Sequence, residues 1–164
     1  MEAAAHWPLW AVALQDSALG LGIRHSTWIY PTANIVHVLG IALLVGSIIA
    51  LDLRLLGAGR KLMTAVAAST FLTPITLFGI LLVVPSGLTL FIADAGPLAA
   101  NRILQIKFVL IALGLLNAIV FRLLWEKRLA RWDRLSSPLG RSQVMLSIAI
   151  WLGVPTLGRL IAYL

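Results

Sequence analysis

The sequence predicts an all-α integral membrane protein, a four-helix up-and-down bundle with a short N-terminal interfacial helix. Three observations predict it. The 164 residues are 60% hydrophobic and only 12% charged, where soluble domains carry about a quarter charged residues, and mean hydropathy is +0.98. Four apolar runs are each long enough to cross a bilayer, which takes about 20 residues. The basic residues, 13 Lys and Arg against 6 Asp and Glu, gather between those runs. The net charge of +7 is therefore a topology signal with some attraction to anionic lipid, and not a nucleic-acid footprint.

Residues 1–26 do not read as a signal peptide, because no Lys or Arg precedes an apolar core and Glu2 stands at the positive end's place. Trp7, Trp10, Leu14, Ala18 and Leu21 recur at three-or-four spacing, one apolar helical face. The two Trp suit the headgroup layer, so this segment reads as a periplasmic interfacial helix, broken around Gly20 and Gly22. Residues 27–164 form the membrane domain. Span one, 27–51, opens on an aromatic belt of Trp28 and Tyr30, with Pro31 in a first turn where a missing N–H costs nothing. Span two, 69–93, carries Pro74 and Pro85; span three is 103–125; span four, 142–164, carries Pro155. Proline is tolerated in spanning helices where neighbours re-satisfy the freed carbonyls, and it usually kinks them.

Arg54, Arg60 and Lys61 follow span one, and Lys127, Arg128, Arg131, Arg134 and Arg141 follow span three, with Arg122 just inside its end. Arg24 and Arg102 lie outside the spans on the other side, with Lys107 and Arg159 near helix ends. The positive-inside rule then predicts a multi-pass protein of the bacterial cytoplasmic (inner) membrane with both termini periplasmic. Short connections favour antiparallel neighbours. The basic run Lys127 to Arg134, with Trp125 and Trp132, reads as an interfacial anchor.

Polar groups inside spans are costly, so each needs a reason. His37 is the one histidine inside a span, about 15 Å below the outer surface at the helical rise. Asn34 is one turn earlier. Ser86, Thr89, Lys107, Thr156 and Arg159 fall in the same outer half, with Asp94 and Arg102 at its mouth. The expectation is an outer-half polar pocket of His37, Asn34, Ser86, Lys107 and Arg159, in which His37, Asn34 and Lys107 face the bundle interior or a subunit interface. The bland alternative also stands: a lone membrane histidine often hydrogen-bonds across a helix interface, and Lys107 and Arg159 are near enough to helix ends to snorkel. Asp52 and Asp94 are placed at opposite membrane faces. Gly40, Gly46, Gly79, Gly87, Gly114 and Gly153 read as small contact residues between helices. No HExxH, GxSxG or Walker sequence occurs, no carboxylate pair lies in a span, and no Cys is present for disulfides, thiolate ligands or thiol catalysis. The expectation is a protein without catalytic residues.

The stretch Trp28-Ile-Tyr-Pro, Asn34-Ile-Val-His37-Val-Leu-Gly40, Asp52-Leu-Arg54-Leu-Leu-Gly57, Pro85-Ser-Gly87, Asn101, Lys107, Asn117, Gly158-Arg159 and Tyr163 resembles a group of small bacterial four-helix membrane proteins of uncharacterised function. That group is distantly similar to the membrane domain of copper-resistance protein D and to small haem-associated bundles. The resemblance covers most of the chain from Trp28 onward. It implies a haem clasped by histidines from two helices, with His37 as one ligand. The matching position near Phe121 is Arg122 here, and an acidic position is Asn34. Bis-histidine haem therefore cannot form within the spans, while five-coordinate b-type haem, another tetrapyrrole or a shared site remains open.

Three functions follow as expectations. One is a non-catalytic subunit or scaffold of a larger respiratory or photosynthetic membrane assembly, with a larger membrane-protein partner or a homo-oligomer. Another is a redox protein binding haem, a chlorin or a quinone through His37. The third is copper or small-solute transport, although a soft-metal path calls for Met or Cys ligands and Met63 and Met145 lie near the basic side.

Overall fold

The computed structural model describes residues 7–135 and 137–160. Glu2, His6, Tyr163 and the final residues of span four lie outside the described residues. The described chain is all-helical: α1 Leu9–Gln15, α2 Ala18–His25, α3 Ile29–Leu56, α4 Ala65–Ala93, α5 Ala95–Ala100, α6 Arg102–Trp125, a 3₁₀ segment Glu126–Arg131, α7 Trp132–Leu135 and α8 Pro138–Leu160. The helices α3, α4, α6 and α8 are long and apolar enough to cross a membrane, so the four-helix membrane bundle read from the sequence is the fold observed. The α3–α4 and α6–α8 connections share one end, called here the basic end; α1, α2 and α5 lie at the other.

The N-terminal segment is two helices where one was expected, and the break falls at Asp16–Ser17 rather than at the glycines. Ser17 starts α2: its hydroxyl accepts from Gly20 N at 3.2 Å and donates to Leu14 O at 2.6 Å. Gly20 and Gly22 are both inside α2. Gly20 serves close approach, since a Cβ there would stand 2.2 Å from Gln15 O. Buried Gln15 accepts from Gly96 N at 2.9 Å, satisfying an amide in the first turn of α5. The ring of Trp10 stacks on Phe91 with centroids 6.3 Å apart.

Helix α3 runs five residues past its expected end and stops in a Schellman turn. Gly57 takes φ +118°, its N–H donates to Arg54 O at 3.1 Å, and Ala58 N–H donates to Leu53 O at 2.9 Å. The left-handed conformation strains any residue with a Cβ. The inward face of α3 is a three-or-four repeat of Ala33, Gly40, Leu44 and Ser47, buried against α4 and α8. A Cβ on Gly79 would stand 2.6 Å from Leu44 N, and one on Gly40 2.8 Å from a Val83 methyl. Backbone contact of that kind maximises dispersion where no hydrophobic force drives helices together. Across it, Ser47 Oγ and Thr76 Oγ1 pair at 2.7 Å.

Helix α6 pairs with α8. Gly114 leaves room for the Trp151 indole, which would stand 3.1 Å from a Cβ there. Asn117 and Gln143 cross-link the pair through each other's backbone carbonyls at 3.4 and 3.2 Å, and Gln143 Oε1 accepts from Trp125 Nε1 at 2.9 Å. The pairs α3–α4 and α6–α8 join through α3 and α8, while α4 and α6 hardly touch. Among the described residues, one hydrogen bond spans that gap, from Arg122 Nη2 to Thr73 Oγ1 at 3.0 Å.

The basic end corrects the anchor reading. Trp125 and Trp132 are buried, 6% and 2% exposed, in a cluster with Leu55, Ala65 and Val144. Trp132 donates to Leu55 O at 2.8 Å and meets Phe121 and Trp125 edge-on. From Lys127 to Arg134, the charged residues and Ala130 are exposed. Arg54 is not a loop residue: it is buried in the last turn of α3, where Nε donates to Met63 O at 2.8 Å and the guanidinium grips Asp133 at 2.9 and 2.7 Å.

Candidate functional site

The polar residues expected to converge in the outer half do so only in part. His37 and Ser86 meet. His37 Nδ1 stands 3.2 Å from Val83 O and 3.1 Å from Ser86 Oγ. A carbonyl only accepts, and Ser86 already donates to Leu82 O at 2.5 Å, so Nδ1 carries the proton and Nε2 is the basic nitrogen. The imidazole edge lies on Gly87, where a Cβ would stand 2.9 Å from Cε1. Lys107 is half-buried, its Nζ 3.3 Å from where a Gly158 Cβ would be. Asn34 and Arg159 are exposed and do not join the cluster. Asn34 sits three residues from His37, about 60° around the helix, enough to carry it off the buried stripe. Thr89 and Thr156 bond back to Pro85 O and Leu152 O of their own helices at 2.9 and 2.8 Å. A groove on the α3–α4 seam, walled by Trp28, Thr32, Pro85 and Ser86 among others, does not take in His37.

The larger polar constellation is in the other half, near the basic end. A cavity of roughly 430 Å³ lies between the four spans. From α3 it is walled by Leu44, Ile48 and Asp52, and from α4 by Thr73, Thr76 and Ile80. From α6 come Asn117, Phe121 and Arg122, and from α8 Gln143, Ser147 and Trp151. Its seam is weakest between α4 and α6, the two spans that hardly touch.

Two of its lining residues each carry a polar atom that is closed off from the surface and has no hydrogen-bond partner, the carboxylate oxygen Asp52 Oδ2 and the indole nitrogen Trp151 Nε1. Asp52 is 7% exposed and Trp151 3%. An unmet buried donor or acceptor costs about 1–3 kcal/mol, more when charged. Ser147 lies beside the Asp52 carboxyl, and Trp151 is one turn further along α8. Pro155 adds to the imbalance, because it has no N–H to give the Trp151 carbonyl four residues before it. His37 and Asp52 are about 22 Å apart along α3 at the helical rise, so the histidine does not reach this cavity.

Asp52 and Trp151 are not among the residues of the expected outer-half pocket. An end of span one at residue 51 puts Asp52 at the membrane face. A signal for the longer helix was present: Gly57 is a helix stop, and continuing the apolar pattern up to it puts Asp52 more than a turn inside. Nothing in the sequence marked Trp151 apart from the other tryptophans. Among the described residues, no three His, Cys, Asp or Glu side chains converge as a metal-binding group.

Comparison with known proteins returns no match: no protein family, no curated protein and no solved structure resembles the chain significantly.

Proposed function

We propose that this chain is a non-catalytic membrane protein that binds a lipid-soluble small molecule, admitted from the bilayer between α4 and α6. One observation carries the reading: a cavity of roughly 430 Å³ between the four spans, apolar over most of its wall and carrying the polar residues Asp52, Asn117, Gln143 and Ser147. Binding sites are mostly apolar concavities with a few placed polar groups, and this one has that make-up. The test is small-molecule analysis of protein purified from native membranes, with Ala118→Phe as a variant that fills the cavity from α6. Wild type should carry one apolar compound in near-stoichiometric amount, and the variant should lose it while remaining folded. Equal cargo in both, or bulk lipid alone in both, would sink the reading.

The accessory-subunit reading draws on a different observation. Asn34 is exposed on the outer half of α3, beside Ile35 and Val38, which are 62% and 59% exposed. An amide turned to hydrocarbon gives up its hydrogen bonds with water, and a neighbouring membrane protein would replace them. Cross-linking from Asn34→Cys in native membranes, with identification of the product, separates a larger partner from a second copy; no product at all counts against both.

We place the protein in the bacterial inner membrane with both termini in the periplasm, on the Lys and Arg asymmetry between the two ends. Thr27 and Ala58 are exposed on opposite ends of α3, and the chain has no Cys. In intact cells Thr27→Cys should react with an impermeant thiol reagent and Ala58→Cys should not. The inverse pattern would turn the protein over.

A further inference from the structure

The shape and the rim of the cavity name the kind of molecule it takes, an inference that rests on the binding reading above. Its α3 wall runs from Leu44 to Leu55 and its α4 wall from Ser69 to Ile80, each about 16 Å long at the helical rise. The hydrocarbon of one leaflet is about 15 Å deep, half of the bilayer core. The cavity therefore extends along the spans over the depth of the basic-end leaflet. Leu77 of α4 and Leu115 and Ala118 of α6 line it and are exposed as well, so they form a rim on the α4–α6 seam, where the two spans hardly touch. Arg122, four residues past Ala118 and on the same helical face, continues that rim toward the basic end.

At Arg122 the apolar rim gives way to charge. Its side chain is 53% exposed. Nη2 donates to Thr73 Oγ1 at 3.0 Å, while Nη1 is 3.9 Å from the Glu126 carboxylate, beyond hydrogen-bond range. Among the described residues, the rest of the guanidinium fork makes no hydrogen bond. A fork of this kind matches phosphate oxygens in geometry as well as charge. In the segment after α6, Asp133 is taken by Arg54 at 2.7 Å. The exposed cations Lys127, Arg128, Arg131 and Arg134 then leave a positive surface that draws anionic lipid to this leaflet.

We infer that the occupant is an anionic phospholipid of the basic-end leaflet, with one acyl chain lodged in the cavity and its phosphate held by Arg122. The second chain stays in the bilayer, which an opening along the side of the bundle allows. The phosphate oxygens accept from the free N–H groups of Arg122, and the Glu126 carboxylate is the competitor they displace. Purified protein then carries one phospholipid per chain beyond the bulk lipid that Ala118→Phe retains.

The test is native mass spectrometry of the full chain in detergent, titrated with dioleoyl phosphatidylglycerol, dioleoyl phosphatidylcholine or oleic acid. One phosphatidylglycerol should bind about tenfold more tightly than phosphatidylcholine, the factor for a hydrogen bond to a charged group. Oleic acid at equal concentration should not displace it. Arg122→Gln should bring phosphatidylglycerol down to the level of phosphatidylcholine and leave phosphatidylcholine unchanged. Glu126→Gln should tighten phosphatidylglycerol, and Arg131→Gln, outside the cavity lining, should alter neither lipid. Ala118→Phe should lose both. Equal binding of the two phospholipids, abolished by Ala118→Phe, would overturn the headgroup assignment and leave the cavity reading standing. So would a preference that Arg131→Gln weakens as much as Arg122→Gln, or displacement by oleic acid through Arg122. A first lipid that Ala118→Phe leaves in place, or no saturable binding of any probe, would overturn both.

Discussion

Trp132→Ala is expected to cost about 3–5 kcal/mol of stability, the range for removing a buried large aromatic side chain. Trp132 is 2% exposed. Its indole N–H is bonded to Leu55 O at the end of α3, and its ring edge covers Gly140, where a Cβ would stand 2.7 Å away. The substitution leaves a hole between α3, α6 and α8 and frees a helix-terminal carbonyl. Leu55, Phe121, Leu129 and Val144 border both this cluster and the cavity, so the small-molecule cargo proposed for the cavity should fall with stability. Unfolding in rising mole fractions of denaturing detergent measures the first effect, and small-molecule analysis of the purified protein the second. A loss under about 1 kcal/mol would show that the segment after α6 is not part of the folded core.

Asp133→Ala should be the next most damaging change, although its target is itself largely a surface residue. Arg54 is 4% exposed and its guanidinium is held by Asp133 through two bonds. Removing the partner of a buried charge costs about 3–5 kcal/mol when both ions are buried. The Asp133 side chain is 37% exposed, so water already screens the pair, and a loss of about 2 kcal/mol is the reasonable expectation. The penalty comes from stranding Arg54, which leads to a second measurement. Arg54→Met combined with Asp133→Leu removes both charges and should recover most of the stability lost by Asp133→Ala alone. A double variant as damaged as the single one would mean that the bond from Arg54 to Met63 O is the contact that matters.

The misplacements share a cause, visible at three residues. Asn34 and His37 lie one turn apart, and in a helix apolar all round the sequence holds no polar face to say which of them turns inward. Trp132 sits in a basic run, and local composition assigns it to the headgroup layer; its burial depends on a bonding partner, Leu55, 77 residues away. Asp52 looked like an interfacial carboxylate because charge was used to end the span, whereas the chain ends the helix by backbone geometry at Gly57.

Composition and pattern alone set the class of molecule: four apolar runs, too long and too poor in charge for a soluble fold, can satisfy their backbone in hydrocarbon only as helices. They also determined the number of spans, the end where positive charge collects, and the absence of thiol chemistry. Only the tertiary structure decided which polar groups face each other. With almost every position apolar, hydrophobicity cannot choose a face. The choice falls to close backbone approach at Gly40 and Gly79 and to the space Gly114 leaves for the Trp151 and Ile150 side chains, which set the rotation of each helix. That rotation brought His37 to Ser86, turned Asn34 outward, and put Asp52 and Trp151 beside one cavity, each with one buried polar atom unpartnered.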